Sequence, residues 1–205
     1  MPTPLSLHKE MHMNHSNIVV PARRRFLGTA GKATLSAAAI ALLAGNEALA
    51  QSASGTMQDV GILNVALGLE HEAINAYQLG AMSGLLQKPV LDVAVLFQSH
   101  HKGHRDALIA TIRKLGGTPV AEKPLDDYAK ALRADTLKSQ ADILELAARL
   151  ELGATNAYLG VIPAFKDAGL AKVAGRLAAD ETMHWSILSS AMGKPMPMAA
   201  LTFGA

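Results

Sequence analysis

Glu181 and His184 stand three residues apart in a run whose apolar residues, Leu170, Val173, Ala174, Leu177 and Leu188, recur with a helical period. At this spacing both side chains lie on one helix face, about one turn apart. A carboxylate and an imidazole inside an apolar stripe must be paired, hydrogen-bonded or metal-bound, because burying them bare is costly. The pair alone reads equally well as a core histidine satisfied by its neighbour. Three other stretches carry the same kind of group. Glu70 falls within the stripe Leu63, Ala66, Leu67, Ala73, Ile74, Tyr77, and Glu151 within Leu144, Ala147, Ala148, Ala154, Thr155, Tyr158. His101 and His104 fall within Val90, Ala94, Phe97, Leu108, Ile112, Leu115.

These groups repeat. Residues 69–77 (LEHEAINAY) match residues 150–158 (LELGATNAY) at six of nine positions. His101 and His104 follow Glu70 by 31 and 34 residues, and Glu181 and His184 follow Glu151 by 30 and 33. Each half therefore presents one central Glu and then a pair at i,i+3. Duplication for packing alone, with the polar side chains satisfying each other, is the competing explanation.

Four long helices would position these groups. The first runs from a cap at Thr56 or Asp59 to about Leu86, with Glu70 on the buried stripe and Glu72 turned about 200° away from it. The second runs from Pro89 to about Leu115 and stops at Gly116-Gly117. Residues 116–139 hold Thr118-Pro119 and Lys123-Pro124, which are turn chemistry, with a short helix over 126–133. This connection is too long for a tight hairpin and long enough to cross the length of a helix pair. The third helix spans about 138–162 and ends at Pro163. The fourth spans 167–192 and ends at Gly193-Lys194-Pro195. The expectation is an all-α fold, an antiparallel four-helix bundle over 57–192, with a leader at 51–56 and a tail at 193–205. The tail is apolar and aperiodic, and packs either on the bundle or on another subunit.

In such a bundle the six side chains Glu70, His101, His104, Glu151, Glu181 and His184 meet at mid-height. That is the layout of carboxylate-bridged dinuclear metal proteins, with one Glu from each of two helices and a Glu-x-x-His from each of the other two. On these residues the chain resembles the ferritin-like superfamily over about 57–192, and with Arg23-Arg24-Arg25-Phe26-Leu27, in the order of a twin-arginine signal, it resembles most of all the exported branch. The resemblance implies that Glu70 and Glu151 are the lone carboxylates, Glu181 and His184 one Glu-x-x-His, and His104 the histidine of the other. It implies one or two ions of iron or manganese, and redox chemistry with ferrous iron, oxygen or peroxide. His101 departs from the pattern, which has a Glu there, so the ligand charge becomes −3 rather than −4. A single metal, two unlike metals or an exogenous oxygen bridge stay open, as do zinc and copper. So do a non-catalytic, stress-related or structural bundle with a degenerate site, and storage inside an oligomeric shell.

Other groups surround this set. Asp180 is placed to hold the free N–H of a ligating histidine across the bundle. Tyr77 and Tyr158 are within reach of the site but read chiefly as packing residues. His71 and His100 read as flank or surface residues, with His100 a reserve ligand.

Composition narrows the function classes. The chain of 205 residues has no cysteine, which excludes disulfides and thiolate chemistry. Residues 1–50 hold Lys9, Arg23, Arg24, Arg25 and Lys32 against Glu10 and Glu47, leaving 14 basic and 15 acidic side chains in the rest. That near-neutral remainder carries no basic stripe and excludes a nucleic-acid partner. Arg23-Arg24-Arg25-Phe26-Leu27, an uncharged Ala/Leu-rich run and Ala48-Leu49-Ala50 make a signal peptide over 1–50. Its Arg-Arg-x-Phe-Leu order resembles a bacterial twin-arginine signal, which implies the twin-arginine export machinery as a partner and a periplasmic or otherwise exported location. The mature form then has no stable membrane span, and a homo-oligomer is left open. His8, His12 and His15 precede the arginines and would leave with the signal.

Overall fold

The computed structural model describes residues 55–204. The signal-peptide reading of residues 1–50, with its three histidines, and leader residues 51–54 lie outside the described residues. Among the described residues there are five α-helices and no strand: α1 (Gly55–Met82), α2 (Lys88–Lys114), α3 (Leu125–Ala131), α4 (Gln140–Val161) and α5 (Ala168–Ala191). Short 3-10 turns follow α3 at Ala134–Thr136 and α4 at Ile162–Ala164. No helix among the described residues is long and apolar enough to cross a membrane.

The helix ends follow local chemistry. α1 stops four residues before the expected Leu86, because Ser83 caps the Gly80 carbonyl with its hydroxyl and Gly84 takes a left-handed φ of 72°, which glycine adopts without steric cost. Asp59 is not the cap expected of it. α1 already begins at Gly55, and Asp59 is buried, accepting hydrogen bonds from the Lys166 and Asp167 amides at 2.9 and 3.1 Å. α2 carries Pro89 in its first turn and ends where Gly116 turns left-handed at φ 79°. Ser139 caps α4 by accepting from Asp142 N, and Asp167 caps α5 by accepting from Gly169 N and Leu170 N. Both satisfy amides that a helix start leaves without partners. Pro163 lies in the 3-10 turn that closes α4.

α1 packs on α2, α4 on α5, and α1 also on α4. Two apolar clusters fill the interior. One holds Val60, Leu63 and Leu67 of α1, Leu108 and Ile112 of α2, Tyr158 of α4, and Ala174 and Leu177 of α5. The other holds Tyr77, Phe97, Leu144, Ala147 and Leu188. Along α1 and α5 the first cluster comes before the second; along α2 and α4 the order is reversed. In all four helices the acid or histidine lies between the two clusters.

The connection between α2 and α4 is also packed. Tyr128 and Leu132 are buried against Ala76 of α1 and Leu146 of α4. This covers the face of α1 that was expected to meet solvent, and His71 and Glu72 are buried at 4% and 6% exposure. α1 is thus enclosed on nearly every side, with Asp59, Glu70, His71, Glu72 and Asn75 buried alongside its apolar residues. Val173, by contrast, is exposed although it falls on the apolar stripe of α5. The tail folds back on α4 and α5: the Phe203 ring meets Trp185 edge-on at 5.3 Å, and Gly204 N donates to Asn156 Oδ1 at 2.8 Å.

Candidate metal centre

All six expected side chains meet in one cluster. Glu70, His101, Glu151, Glu181 and His184 are each no more than 2% exposed, and the His104 side chain is 12% exposed. They form two sets of four donors able to hold an ion: Glu70, His101, His104 and Glu181, and then His101, Glu151, Glu181 and His184. Glu181 and His101 belong to both.

Glu181 divides its two oxygens between the sets. Oε1 faces His104 Nδ1 at 3.2 Å, and Oε2 faces His184 Nδ1 at 3.1 Å. In the first set Glu70 Oε2 lies 2.8 Å from His101 Nδ1 and 3.6 Å from His104 Nδ1. In the second, Glu151 Oε2 lies 3.3 Å from His184 Nδ1, and Glu151 Oε1 lies 3.1 Å from His101 Nε2. Two donors each about 2.1 Å from one ion sit roughly 3.0–3.4 Å apart, and most of these hydrogen-bond and ion-pair spacings are also compatible with donors to a shared ion. A further observation bears on the fit. His104 Nδ1 and Glu181 Oε1 are buried without a hydrogen-bond partner, misaligned with each other despite their 3.2 Å separation. Such orphaned atoms are costly, and an ion between them would satisfy both. Three carboxylates and three imidazoles suit a divalent first-row metal.

The partners of these groups cross from one half of the repeat to the other. Tyr77 of α1 donates to Glu151 of α4 at 2.5 Å, and Tyr158 of α4 donates to Glu70 of α1. His104 Nε2 pairs with Asp180 Oδ2 at 3.2 Å, and His184 Nε2 with His100 Nδ1 at 2.9 Å. His100 therefore occupies the place in its half that Asp180 occupies in the other. The sequence reading left both tyrosines chiefly as packing and His100 on the flank; the repeat itself carried the signal, since His100 precedes His101 as Asp180 precedes Glu181. The Asp180 contact is the one expected. Phe97 stacks on His184 at 4.1 Å and 25°, and Tyr77 on His101 at 5.5 Å and 29°.

Proton equilibria follow from this packing. Burial pushes Glu70 up, but the His101 hydrogen bond and the charges of His101 and His104 outweigh it and leave its pKa at about 2. Glu151 is likewise held below the usual carboxylate range, its burial outweighed by His101 and His184. Burial, with the charge of Glu70, raises Glu181 despite the neighbouring histidines. Burial lowers the His104 imidazole, yet Glu181 and Glu70 raise it to about 10. His101 and His184 are raised in the same way by their carboxylates. Burial and the neighbouring carboxylates push Tyr77 and Tyr158 upward, so both phenols stay donors. The cluster thus attracts positive charge, whether protons or a metal ion.

Beside the cluster a cavity of about 260 Å³, lined by apolar side chains such as Val90, Val93, Leu144, Ala147 and Leu188, reaches Tyr77. A family model described as a ferritin-like domain matches residues 58–194. No curated protein matches the chain.

Proposed function

The chain belongs to the ferritin-like domain family, and from that premise we propose that it is an exported metal-binding protein with a non-haem iron or manganese redox site. The observation that carries this reading is the pair of buried four-donor sets sharing His101 and Glu181. The four long helices form an antiparallel bundle in which α1 and α5 run one way and α2 and α4 the other; the reversed order of the two apolar clusters along them supports this direction. A connection that crosses the length of the bundle between α2 and α4 follows from the same order.

Glu70, His104, Glu181 and His101 would hold one ion, and Glu151, His184, Glu181 and His101 a second. Bound there, the metal supplies the electrons for reaction with oxygen or peroxide. The chain's own residues do the positioning. Tyr158 and Tyr77 fix the two lone carboxylates, Asp180 and His100 fix the two terminal imidazoles, and the stacked Phe97 and Tyr77 rings hold the histidine planes. Partners of this kind set ring orientation and ligand basicity. The apolar cavity at Tyr77 offers a small nonpolar oxidant a path that water disfavours. Residues 1–50 would direct the folded chain to the twin-arginine route and be removed.

The reading is tested by loading the chain with ferrous iron under anaerobic conditions and then admitting oxygen or peroxide. Oxidant consumption stoichiometric with iron, lost in Glu151→Ala, is the expected result. Bound iron that reacts no faster than free iron would remove the redox part. A second reading, a non-catalytic bundle with a degenerate site, is favoured by one observation: His101 hydrogen-bonds Glu70 and Glu151 through its two nitrogens, so a protonated ring satisfies both acids without an ion.

A further inference from the structure

His101 occupies the place in its half of the repeat that Glu181 occupies in the other. Glu181 spans the two donor sets by giving one oxygen to each. His101, reaching in from α2, also faces both sets with different atoms. Its Nδ1 lies 2.8 Å from Glu70 Oε2 and 3.8 Å from Glu181 Oε1, while its Nε2 lies 3.1 Å from Glu151 Oε1. The ring is 1% exposed and stacked on Tyr77, with the His104 and His184 rings edge-on at 5.8 and 5.3 Å. It is held with one nitrogen toward each side.

We propose that His101 joins the two sets as a bridging imidazolate, Nδ1 to an ion held by Glu70, His104 and Glu181 Oε1, and Nε2 to an ion held by Glu151, His184 and Glu181 Oε2. This rests on the metal-binding reading above and goes beyond it. A single imidazole nitrogen does not readily serve two ions, but the two nitrogens of one ring point away from each other and serve one each. The metal-free ring meets a carboxylate oxygen at each nitrogen and so carries two N–H groups; each ion that binds displaces one proton to solvent, and the freed N–H bonding pair becomes the metal bond. The replacement of Glu by His is then a change of bridge rather than the loss of a ligand. It holds the ions farther apart than the roughly 3.5–4 Å of common two-metal sites while coupling them through the ring.

Copper(II) is a suitable probe, because its affinity for such donors is the highest of the divalent first-row series and its spin reports coupling. The full chain is titrated with copper(II) and followed by elemental analysis and electron paramagnetic resonance, alongside His101→Phe, which keeps a stacked ring without nitrogens, and His101→Glu. The expected result is two coupled ions in the wild type, with the signal growing over the first equivalent and shrinking over the second. His101→Phe should lose the coupling, and His101→Glu should show by X-ray absorption a metal–metal distance of roughly 3.5–4 Å that the wild type lacks. Ions on surface or N-terminal histidines stay uncoupled and persist in every variant. A wild type that shows no coupled pair, or coupling that survives in His101→Phe, would overturn the bridge and leave the metal reading standing. No buried copper in any form would overturn both. Should His101→Phe fail to fold, the wild type against His101→Glu decides by the metal–metal distance.

Discussion

Tyr158→Phe is the sharpest perturbation of the crossed arrangement. Tyr158 is 2% exposed and its hydroxyl donates to Glu70 Oε1, while Glu70 is 1% exposed. Phenylalanine keeps the ring and its packing, so no cavity opens; the change is the loss of one donor to a buried carboxylate. Water cannot replace it without entering the apolar cluster. Hydrogen bonds to charged groups contribute about 1.5–3 kcal/mol. At about 2–4 °C per kcal/mol for a chain of this size, the Tm should fall by roughly 3–12 °C. Thermal unfolding of the metal-free chain measures this directly. A double-mutant cycle then identifies the partner. Tyr158→Phe with Glu70→Gln should show the roughly 0.5–3 kcal/mol coupling of contacting residues, and Tyr158→Phe with Glu151→Gln clearly less. A Tm change equivalent to less than about 0.5 kcal/mol, or the larger coupling to Glu151, would refute the crossing.

Asp180→Asn should lower metal affinity about 10–100-fold with little change in unfolding, since Asp180 is half exposed and acts through His104 Nε2; an unchanged affinity by competitive chelation would contradict that role. Asp59→Ala should cost about 1–3 kcal/mol in denaturant unfolding, because it strands the Lys166 and Asp167 amides that α1 holds. On Glu70 and His104 alone the metal-free chain should be most stable between pH 4.5 and 6.5. Glu181, raised from 4.5 by burial, moves the optimum toward the acid end of that window. Below that window Glu70, shifted down from 4.5 to about 2, loses its contribution as pH falls. Above it His104, shifted up from 6.5 to about 10, loses its contribution as pH rises. A metal-free Tm that climbs from pH 6.5 to 9 would contradict this. Bound metal should reverse the alkaline decline, because the ion takes the place of the protons.

The six central side chains were legible because each interrupts an apolar stripe at helical spacing, and because the repeat gives them the same offsets. The end of α2 at Gly116-Gly117 was legible because glycines end a helix locally, and the Asp180 contact because Asp180 adjoins Glu181 and faces the other half of the repeat. What escaped was contributed by elements outside the stripes. Glu72 lies on the far side of α1 from Glu70 and His71 on its flank, and periodicity assigns both to solvent. Both are buried, and His71 meets the Val120 carbonyl of the packed connection at 3.3 Å. Asp59 has the chemistry of a cap, and only the fold shows the Lys166 and Asp167 amides as its partners. His100 stands about 100° from the stripe, a flank position in one helix; it joins the cluster, half-buried, through its contact with His184 Nε2. The tyrosines were read against the Glu on their own helix, whereas each bonds the Glu of the other half, a relation that depends on two helices at once.

The central claim is that the buried cluster is a metal site. Elemental analysis of the chain purified after export, with His104→Ala and Glu151→Ala checked for folding by circular dichroism, tests it most directly. The account predicts close to two iron or manganese ions per wild-type chain and a marked loss in both variants, since each removes a donor from a different set. A wild-type chain that is folded and metal-free, and that binds no added ferrous or manganous ion, would contradict it.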